Sequence, residues 1–126
     1  MRHILLVEDD MDLRDIYTLL LEQSGFRVTG AQDGEEALAR VSGLSPDLII
    51  TDVTMPRMNG LELCRRLHQD ERLRRIPILI HSSDLCVQPP HGETFLAKGS
   101  ELTRLLDLIH RLIGRDDDTP SLAAVA

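Results

Sequence analysis

Five short apolar runs alternate with amphipathic segments along this 126-residue chain, and the alternation constrains its fold more than any other sequence feature. In the amphipathic segments, apolar residues recur at helical spacing, as at Leu13, Ile16 and Leu20. In a parallel sheet with helices on both faces, each strand is buried on both sides, so its sequence is a continuous apolar run and does not alternate between apolar and polar residues. The pattern therefore predicts an α/β fold with a doubly wound parallel sheet. The predicted strands cover residues 4–7, 26–31, 47–53, 78–81 and 95–97.

One connection breaks this alternation. Residues 83–94, between the fourth and fifth runs, contain Pro89-Pro90 and Gly92. Prolines donate no backbone N–H and push the preceding residue towards extended conformations, so a regular helix cannot pass through this point. We therefore expect the fourth helix to be short or missing. A last helix over residues 100–113 completes a predicted domain of residues 1–114, followed by a flexible acidic tail of residues 115–126.

Composition and charge argue against several classes of function. The net charge is −7 and the aromatic residues are one tyrosine and two phenylalanines, which argues against nucleic-acid binding through a basic, ring-lined surface. No apolar run approaches the roughly 18 residues of a membrane span, and the N-terminus lacks the features of a signal peptide. Cys64 and Cys86 form no CxxC motif or cysteine framework, which predicts reduced thiols in a cytoplasmic protein. We expect a cytoplasmic protein without direct contact to nucleic acid or membrane.

Polar side chains follow four of the five predicted strands. In an open parallel sheet, ligands bind beyond the carboxyl ends of the strands. The residues at these ends are Glu8, Asp9 and Asp10 after the first strand, Asp52 after the third, Ser82 and Ser83 after the fourth, and Lys98, the only lysine, after the fifth.

This combination indicates a site for phosphoryl chemistry. Two ionised carboxylates about 4 Å apart repel by on the order of 4 kcal/mol at an effective dielectric constant of roughly 20, so Glu8, Asp9 and Asp52 need cations nearby. Mg²⁺ prefers oxygen ligands of this kind, and Lys98 supplies a further positive charge. A carboxylate nucleophile, a hydroxyl donor, a lysine and Mg²⁺ suit a transferring phosphoryl group, whose transition state spreads negative charge over its oxygens.

Each of these residues also has a purely structural interpretation. Residues 8–10 are equally typical of a loop that ends in a helix N-cap, and Asp10 or Asp12 fits that cap better than it fits a ligand. Asp33-Gly34 likewise predicts the cap of the second helix. Ser82 alone is typical of a strand-end hydroxyl that satisfies the backbone, and Lys98 alone of a surface charge. Asp52 is harder to explain in this way, because it directly follows an apolar run where burial is expected. The five histidines show no metal-ligand spacing.

Four motifs, taken in order, connect these residues to a known family. They are LLVEDD at residues 5–10, DGEEAL at 33–38, DLIITD at 47–52 and MPRMNG at 55–60. Together they resemble the receiver domain of two-component response regulators over roughly residues 2–114, and their joint order is far more specific than any one of them. The resemblance implies a flavodoxin-like five-stranded parallel sheet of order 2-1-3-4-5 with helices on both faces.

The resemblance also implies a phosphoacceptor and a magnesium site. Asp52 would accept a phosphoryl group from the phosphohistidine of a sensor histidine kinase or a histidine phosphotransfer protein. Asp9 and Asp52 would bind Mg²⁺ directly, and Glu8 would act through metal-bound water. The backbone carbonyl of Thr54 would be a further metal ligand.

A second set of residues matches the switch of the family. By resemblance, Ser82 is the hydroxyl that moves to bond a phosphoryl oxygen, and Lys98 pairs with the phosphoryl group. Phe95 occupies the aromatic switch position. Ser83 belongs to the same switch region, and Thr54 and Asp84 lie where family side chains tune the lifetime of the aspartyl phosphate.

Two departures from the family pattern concern the switch. The family usually follows its lysine with a cis-proline, whereas Lys98 precedes Gly99 here. A non-proline cis peptide costs about 2.5–4 kcal/mol, so we expect a trans bond and a reshaped loop. The interval from Ser82 to Lys98 is also shorter than is usual in the family, in agreement with the break at Pro89-Pro90.

The sequence thus predicts a single-domain response regulator, a phosphoprotein that catalyses its own aspartyl phosphorylation and dephosphorylation without being a conventional enzyme. Its output would be a downstream protein partner, a phosphorelay step or a role as phosphate sink, with a homodimer as one form. Two alternatives remain at this stage. One is a pseudo-receiver, an interaction module without phosphotransfer. The other is a hydrolase of the haloacid-dehalogenase type, although that family places its nucleophile after the first strand of its core.

Overall fold

The five apolar runs form one parallel sheet in a computed structural model that describes residues 1–114. The predicted tail, residues 115–126, lies outside the described residues. In chain order the elements are β1 His3–Val7, α1 Met11–Gln23, β2 Arg27–Ala31, α2 Gly34–Leu44, β3 Leu48–Thr51, α3 Gly60–Gln69, β4 Ile78–Ser82, β5 Thr94–Ala97 and α4 Leu102–Ile113. The predicted elements are all present, and their ends shift by no more than two residues.

The strand order is β2-β1-β3-β4-β5, which confirms the predicted topology. All four pairings are parallel. Val7 pairs with Thr51, and Ser82 pairs with Ala97. The carboxyl ends of the strands therefore lie at one edge of the sheet, which is the edge where the polar residues were predicted to meet.

Helices cover both faces of the sheet. Successive strand residues point to opposite faces, so each apolar strand supplies two cores. On one face, strand residues Ile4, Leu6, Leu48, Ile50, Leu79 and Leu96 pack with Leu21 of α1 and with Leu105 and Ile109 of α4. On the other face, Leu5, Val7 and Ile49 pack with Ala37 and Val41 of α2 and with Leu63 and Leu67 of α3.

The connection between β4 and β5 contains no helix, which agrees with the expectation from Pro89-Pro90. In its place, Val87 packs at the edge of a small third cluster made of Val53, Cys64 and Ile80. None of the helices within residues 1–114 is both long and apolar enough to cross a membrane.

Side-chain caps fix the loops that leave the strand ends. Asp10, Asp33 and Asn59 each accept a hydrogen bond from a backbone amide in the first turn of the helix that follows, namely α1, α2 and α3. Such caps satisfy amides that the helix itself leaves without partners. The loops that carry the polar residues are thereby tied to the helices behind them.

Candidate functional site

Three carboxylates meet at the carboxyl ends of β1 and β3. One oxygen each of Glu8, Asp9 and Asp52 lies within 4.8 Å of the others. The strand pairing brings them together, because the amide of Asp52 donates to the carbonyl of Val7 at 3.1 Å. Glu8 is 4% exposed and Asp52 9%, whereas Asp9 is exposed. Two of the three charges are therefore largely removed from water.

Lys98, at the end of β5, bridges two of these carboxylates. Its Nζ donates to Glu8 Oε1 and to Asp52 Oδ2, both at 2.6 Å. The other oxygen of each carboxylate is held by the backbone: Asp52 Oδ1 accepts from the amide of Val53 at 2.6 Å, and Glu8 Oε2 accepts from the amide of Asp10 at 3.2 Å. Both carboxylates are therefore fixed in orientation.

The electrostatics of the cluster reveal a shortage of positive charge. Burial raises the pKa of Glu8 above its ordinary value, and the hydrogen bond from Lys98 does not fully offset it. Burial acts to lower the pKa of Lys98, but its hydrogen bonds to Asp52 and Glu8 outweigh burial, so the net pKa is raised and the ammonium keeps its charge. Three carboxylates facing one ammonium leave a formal charge of −2.

The donor set fits a hard divalent cation. Carboxylate and carbonyl oxygens are the ligands that Mg²⁺ takes in proteins, usually with several waters. A charge of +2 would balance the formal −2 that remains after Lys98. The exposure of Asp9 leaves a side of the cluster open to solvent.

The predicted switch hydroxyl points elsewhere in this structure. Ser82 is buried at the end of β4, and its Oγ accepts a hydrogen bond from the amide of Asp84 at 3.1 Å. Asp84 and Ser83 are exposed, and Asp84 Oδ1 accepts from the amide of Cys86 at 2.9 Å. Within residues 1–114, no hydrogen bond recorded for Ser82 reaches Asp52. The structure therefore brings Glu8, Asp9, Asp52 and Lys98 together and leaves Ser82 engaged with its own loop.

The remaining predicted residues lie around the cluster. Thr54 is exposed, two residues past Asp52 in the loop between β3 and α3. Phe95 is half-buried and packs against the third cluster, which includes Val53 directly after Asp52. His81, next to Ser82, is buried with its ring edge-to-face against Tyr17 at 5.0 Å. Burial, with a smaller contribution from the Lys98 charge, lowers the pKa of His81 to about 4.

Sequence reasoning missed two arginines beside the site. Arg14 Nη1 donates to the carbonyl of Glu8 at 2.7 Å. Arg57 Nε donates to Asp33 Oδ2 at 2.7 Å and so joins the loop after β3 to the cap of α2. Asp33 could be predicted as a cap, but these partners depend on how separate elements pack, and no local sequence signal identifies them.

Gly60, at the start of α3, lies against the backbone of the central carboxylate. A Cβ added to Gly60 would lie 1.9 Å from the carbonyl oxygen of Asp52, so only glycine fits here without movement. The amide of Gly60 also donates to the carbonyl of Val53 at 2.8 Å. The glycine that ends the MPRMNG motif thus allows α3 to pack directly on the residue that the sequence singled out.

The family is decided by comparison with known proteins. The sequence model of the family described as the response regulator receiver domain matches residues 4–110 of this chain. This chain belongs to the response regulator receiver family. The sheet order described above is that of a receiver domain of two-component systems, as the motifs predicted.

This receiver domain is similar in sequence to larger regulators and similar in fold to solved structures. The chain is 31% identical over 129 residues to the DNA-binding dual master transcriptional regulator RpaA of Synechocystis, covering 98% of this chain and 54% of RpaA. A response regulator structure from Chloroflexus aurantiacus is 30% identical with a TM-score of 0.84, covering 90% of this chain and 98% of that one. The structure of TrrA from Thermotoga maritima, in complex with Mg²⁺ and BeF, has a TM-score of 0.82 over 89% of this chain and 99% of that one; at 23% identity it supports the fold alone.

The receiver domain spans about half the length of the curated relatives that it matches over nearly its whole length. The predicted single-domain form and the predicted boundary at residue 114 therefore stay predictions.

Proposed function

We propose that this receiver domain accepts a phosphoryl group onto Asp52 and acts as a phosphorylation-dependent switch. One observation carries the proposal: the Asp52 carboxylate is held by the Val53 amide on one oxygen and by Lys98 on the other, inside a cluster with Glu8 and Asp9. A carboxylate fixed in this way is a prepared nucleophile with a cation beside the oxygens on which charge develops.

The reaction follows from these contacts. An oxygen of Asp52 forms the new P–O bond while the P–N bond of a donor phosphohistidine breaks, and the electron pair leaves with the donor's imidazole. Lys98, whose ammonium already lies 2.6 Å from Asp52 Oδ2, neutralises the incoming phosphoryl oxygens. If Lys98 left Glu8 for the phosphoryl oxygens, the Glu8 carboxylate would be free to help hold a divalent cation. The partner is then a histidine kinase or a phosphotransfer protein.

The acidic cluster would hold Mg²⁺. Glu8, Asp9 and Asp52, with the backbone carbonyl of Thr54, are the groups we assign to it. When bound, Mg²⁺ supplies charge neutralisation for the phosphoryl oxygens. The formal charge of −2 that Lys98 leaves in the cluster, and the raised pKa of buried Glu8, support this assignment.

The Ser82 hydroxyl would report the phosphorylated state. Its Oγ is an acceptor for the Asp84 amide, so its proton can be donated elsewhere. Donation to a phosphoryl oxygen on Asp52 would draw Ser82 towards the site and strain its contact with the loop after β4. Ser83, Asp84 and Phe95 lie where that movement would be transmitted.

Mass spectrometry after incubation with Mg²⁺ and a small phosphodonor tests the function. Acetyl phosphate, carbamoyl phosphate and phosphoramidate should each be tried, and at least one should add a single phosphoryl group. Asp52→Asn should abolish the gain, whereas Asp12→Asn, which makes the same charge change on the exposed first turn of α1, should keep it. No gain from any donor would favour the pseudo-receiver, and a gain that persists in Asp52→Asn would identify a different nucleophile.

A further inference from the structure

A tight turn at the end of β5 carries the lysine of the site. The amide of Ser100 donates to the carbonyl of Ala97 at 3.3 Å, and the Ser100 hydroxyl donates to the same oxygen at 2.7 Å. Residues 97–100 therefore form a hydrogen-bonded β-turn with Lys98 and Gly99 at its centre.

The dihedral angles identify the type of this turn. Gly99 has a φ of +87°, whereas Lys98 is not among the non-glycine residues with positive φ, which within the described chain are Ser45 and Arg57. A positive φ at the second central residue alone defines a type II turn, which needs glycine or asparagine at that position. The described chain contains no cis peptide bond, so Lys98–Gly99 is trans, as expected.

Conformation rather than packing requires glycine at this position. A Cβ added to Gly99 would meet nothing within 4 Å. Any cost of a larger residue therefore arises from the left-handed backbone, which L-residues other than asparagine and aspartate rarely adopt.

The main chain of Lys98 is held on both sides. Its amide donates to the carbonyl of Ser82 at 2.9 Å, which extends the β4–β5 pairing by one residue, and the turn closes directly behind it. From this fixed position Nζ reaches Glu8 and Asp52 at 2.6 Å each. If residue 99 left the left-handed region, the turn would change and the chain at Lys98 would take another direction.

We propose that Gly99 is a positioning residue: its left-handed conformation sets the type II turn that directs Lys98 onto Asp52 and Glu8. The consequence for phosphoryl transfer rests on the function proposed above. Whether Gly99 positions the Lys98 side chain can be tested without phosphorylation, from the reactivity of its amine.

Gly92 provides a matched control for the experiment. It has a φ of +76°, and an added Cβ there also meets nothing within 4 Å. Substitution by alanine therefore introduces a similar backbone strain at both positions. The variants are Gly99→Ala, Gly99→Asn and Gly92→Ala, with Ser100→Ala to weaken the turn without changing the glycine. Each is assayed for the rate at which acetic anhydride acylates the single lysine, located by peptide mapping, and for phosphorylation by small donors with Mg²⁺.

We expect Gly99→Ala to release Lys98, so that it is acylated several-fold faster and phosphorylation falls by on the order of tenfold or more. Gly99→Asn should remain close to the wild type in both measurements, and Gly92→Ala should leave both unchanged. Ser100→Ala should change both in the same direction as Gly99→Ala, but less. Equal behaviour of Gly99→Ala and Gly92→Ala would overturn the proposal.

The two readouts separate the proposals from each other. If the wild-type protein takes no phosphoryl group, the proposed function fails, while the acylation rates still decide the role of Gly99. If Gly99→Ala does not fold, the acylation of Ser100→Ala decides it, and an unchanged rate there counts against the turn.

Discussion

One ammonium satisfies two buried carboxylates at the edge of the sheet where the strands end. Lys98 is the only lysine in the chain, among 14 basic residues. A lysine places three donors on one compact charge, whereas an arginine spreads its charge over a planar fork. Nζ can therefore lie 2.6 Å from an oxygen of Glu8 and from an oxygen of Asp52 at the same time.

Lys98→Met should separate stability from metal binding. Without Mg²⁺, Glu8 and Asp52 lose their shared donor while they stay buried, so we expect the free energy of unfolding to fall by about 2 kcal/mol. With Mg²⁺, the variant should gain more stability than the wild type, because the competing ammonium is gone. Urea unfolding at several Mg²⁺ concentrations measures both effects.

Arg104→Met is the control for Lys98→Met, since it makes the same charge change on the exposed surface of α4. It should leave both the stability and the Mg²⁺ response close to those of the wild type. If Lys98→Met matches Arg104→Met, the ion pairs in the cluster contribute nothing to the fold.

His81 should make stability fall in mild acid. Burial lowers its pKa in the folded protein to about 4, against an ordinary value of 6.5. Because the pKa is lowered on folding, the unfolded chain binds a proton at His81 more readily than the folded protein does. The contribution of neutral His81 to the free energy of unfolding is therefore complete above pH 6.5 and is lost as the pH falls towards 4. Between neutral pH and pH 5 we expect a loss of about 2 kcal/mol.

His81→Phe keeps an aromatic ring beside Tyr17 and removes the titrating group. Urea unfolding from pH 7.5 down to pH 5, with the two proteins in parallel, measures the difference. His3, whose pKa burial also lowers, is present in both proteins and cancels in the comparison. Identical pH profiles would mean that the folded protein admits the charged imidazolium at position 81.

At the scale of elements, the sequence was most informative where a local rule acts alone. The apolar runs predicted the strands. Asp33 was predicted to cap α2, and Asp10 was one of two candidates for the cap of α1, because a side-chain acceptor at the cap position satisfies helix amides that otherwise lack partners. Pro89-Pro90 predicted the missing helix, since backbone geometry forbids it regardless of packing. The pairing of Arg57 with Asp33 could not be predicted, because it joins two loops that only the folded sheet brings together.

Two variants of Asp33 should separate its roles at the start of α2. Its Oδ1 accepts from the Glu36 amide at 2.8 Å, and its Oδ2 pairs with Arg57. Asp33→Asn retains a cap acceptor but loses the charge, and because Arg57 is half exposed we expect a loss of roughly 0.5 kcal/mol. Asp33→Ala removes both contacts and should cost about 1–2 kcal/mol.

Thermal and urea unfolding, with hydrogen exchange at the Glu36 amide, test this ordering. That amide should exchange faster in Asp33→Ala than in Asp33→Asn, because only the alanine leaves it without an acceptor. Equal losses in the two variants would show that the ion pair rather than the cap fixes this end of α2.

At the scale of the whole molecule, topology alone made the site predictable. Parallel strands in register deliver their following residues to one edge, so Glu8, Asp52 and Lys98 could be expected to meet although they are far apart in the chain. What topology does not specify is the conformation of each side chain there. The hydroxyl of Ser82 is an example, because its bond to the Asp84 amide depends on an irregular loop that the family pattern does not describe.

Because the net charge is −7, divalent salts reduce the repulsion between acidic groups in general, so a specific metal site must be distinguished from this screening. Asp9→Asn and Asp10→Asn both change the net charge from −7 to −6, on neighbouring residues. Asp9 belongs to the carboxylate cluster, whereas Asp10 caps α1 through an acceptor that asparagine also offers. The two variants therefore have the same net charge, and only Asp9→Asn removes a proposed metal ligand.

We expect Mg²⁺, at ionic strength held constant with NaCl, to raise the melting temperature of the wild type and of Asp10→Asn to a similar extent. A ligand that binds only the folded state stabilises it by about 2.7 kcal/mol at a hundred times its dissociation constant. Asp9→Asn should lose most of this response, and without Mg²⁺ it should be more stable than the wild type, because one of three mutually repelling carboxylates is neutral. If both variants respond to Mg²⁺ like the wild type, the metal acts on the overall charge of the molecule and not on the cluster between β1 and β3.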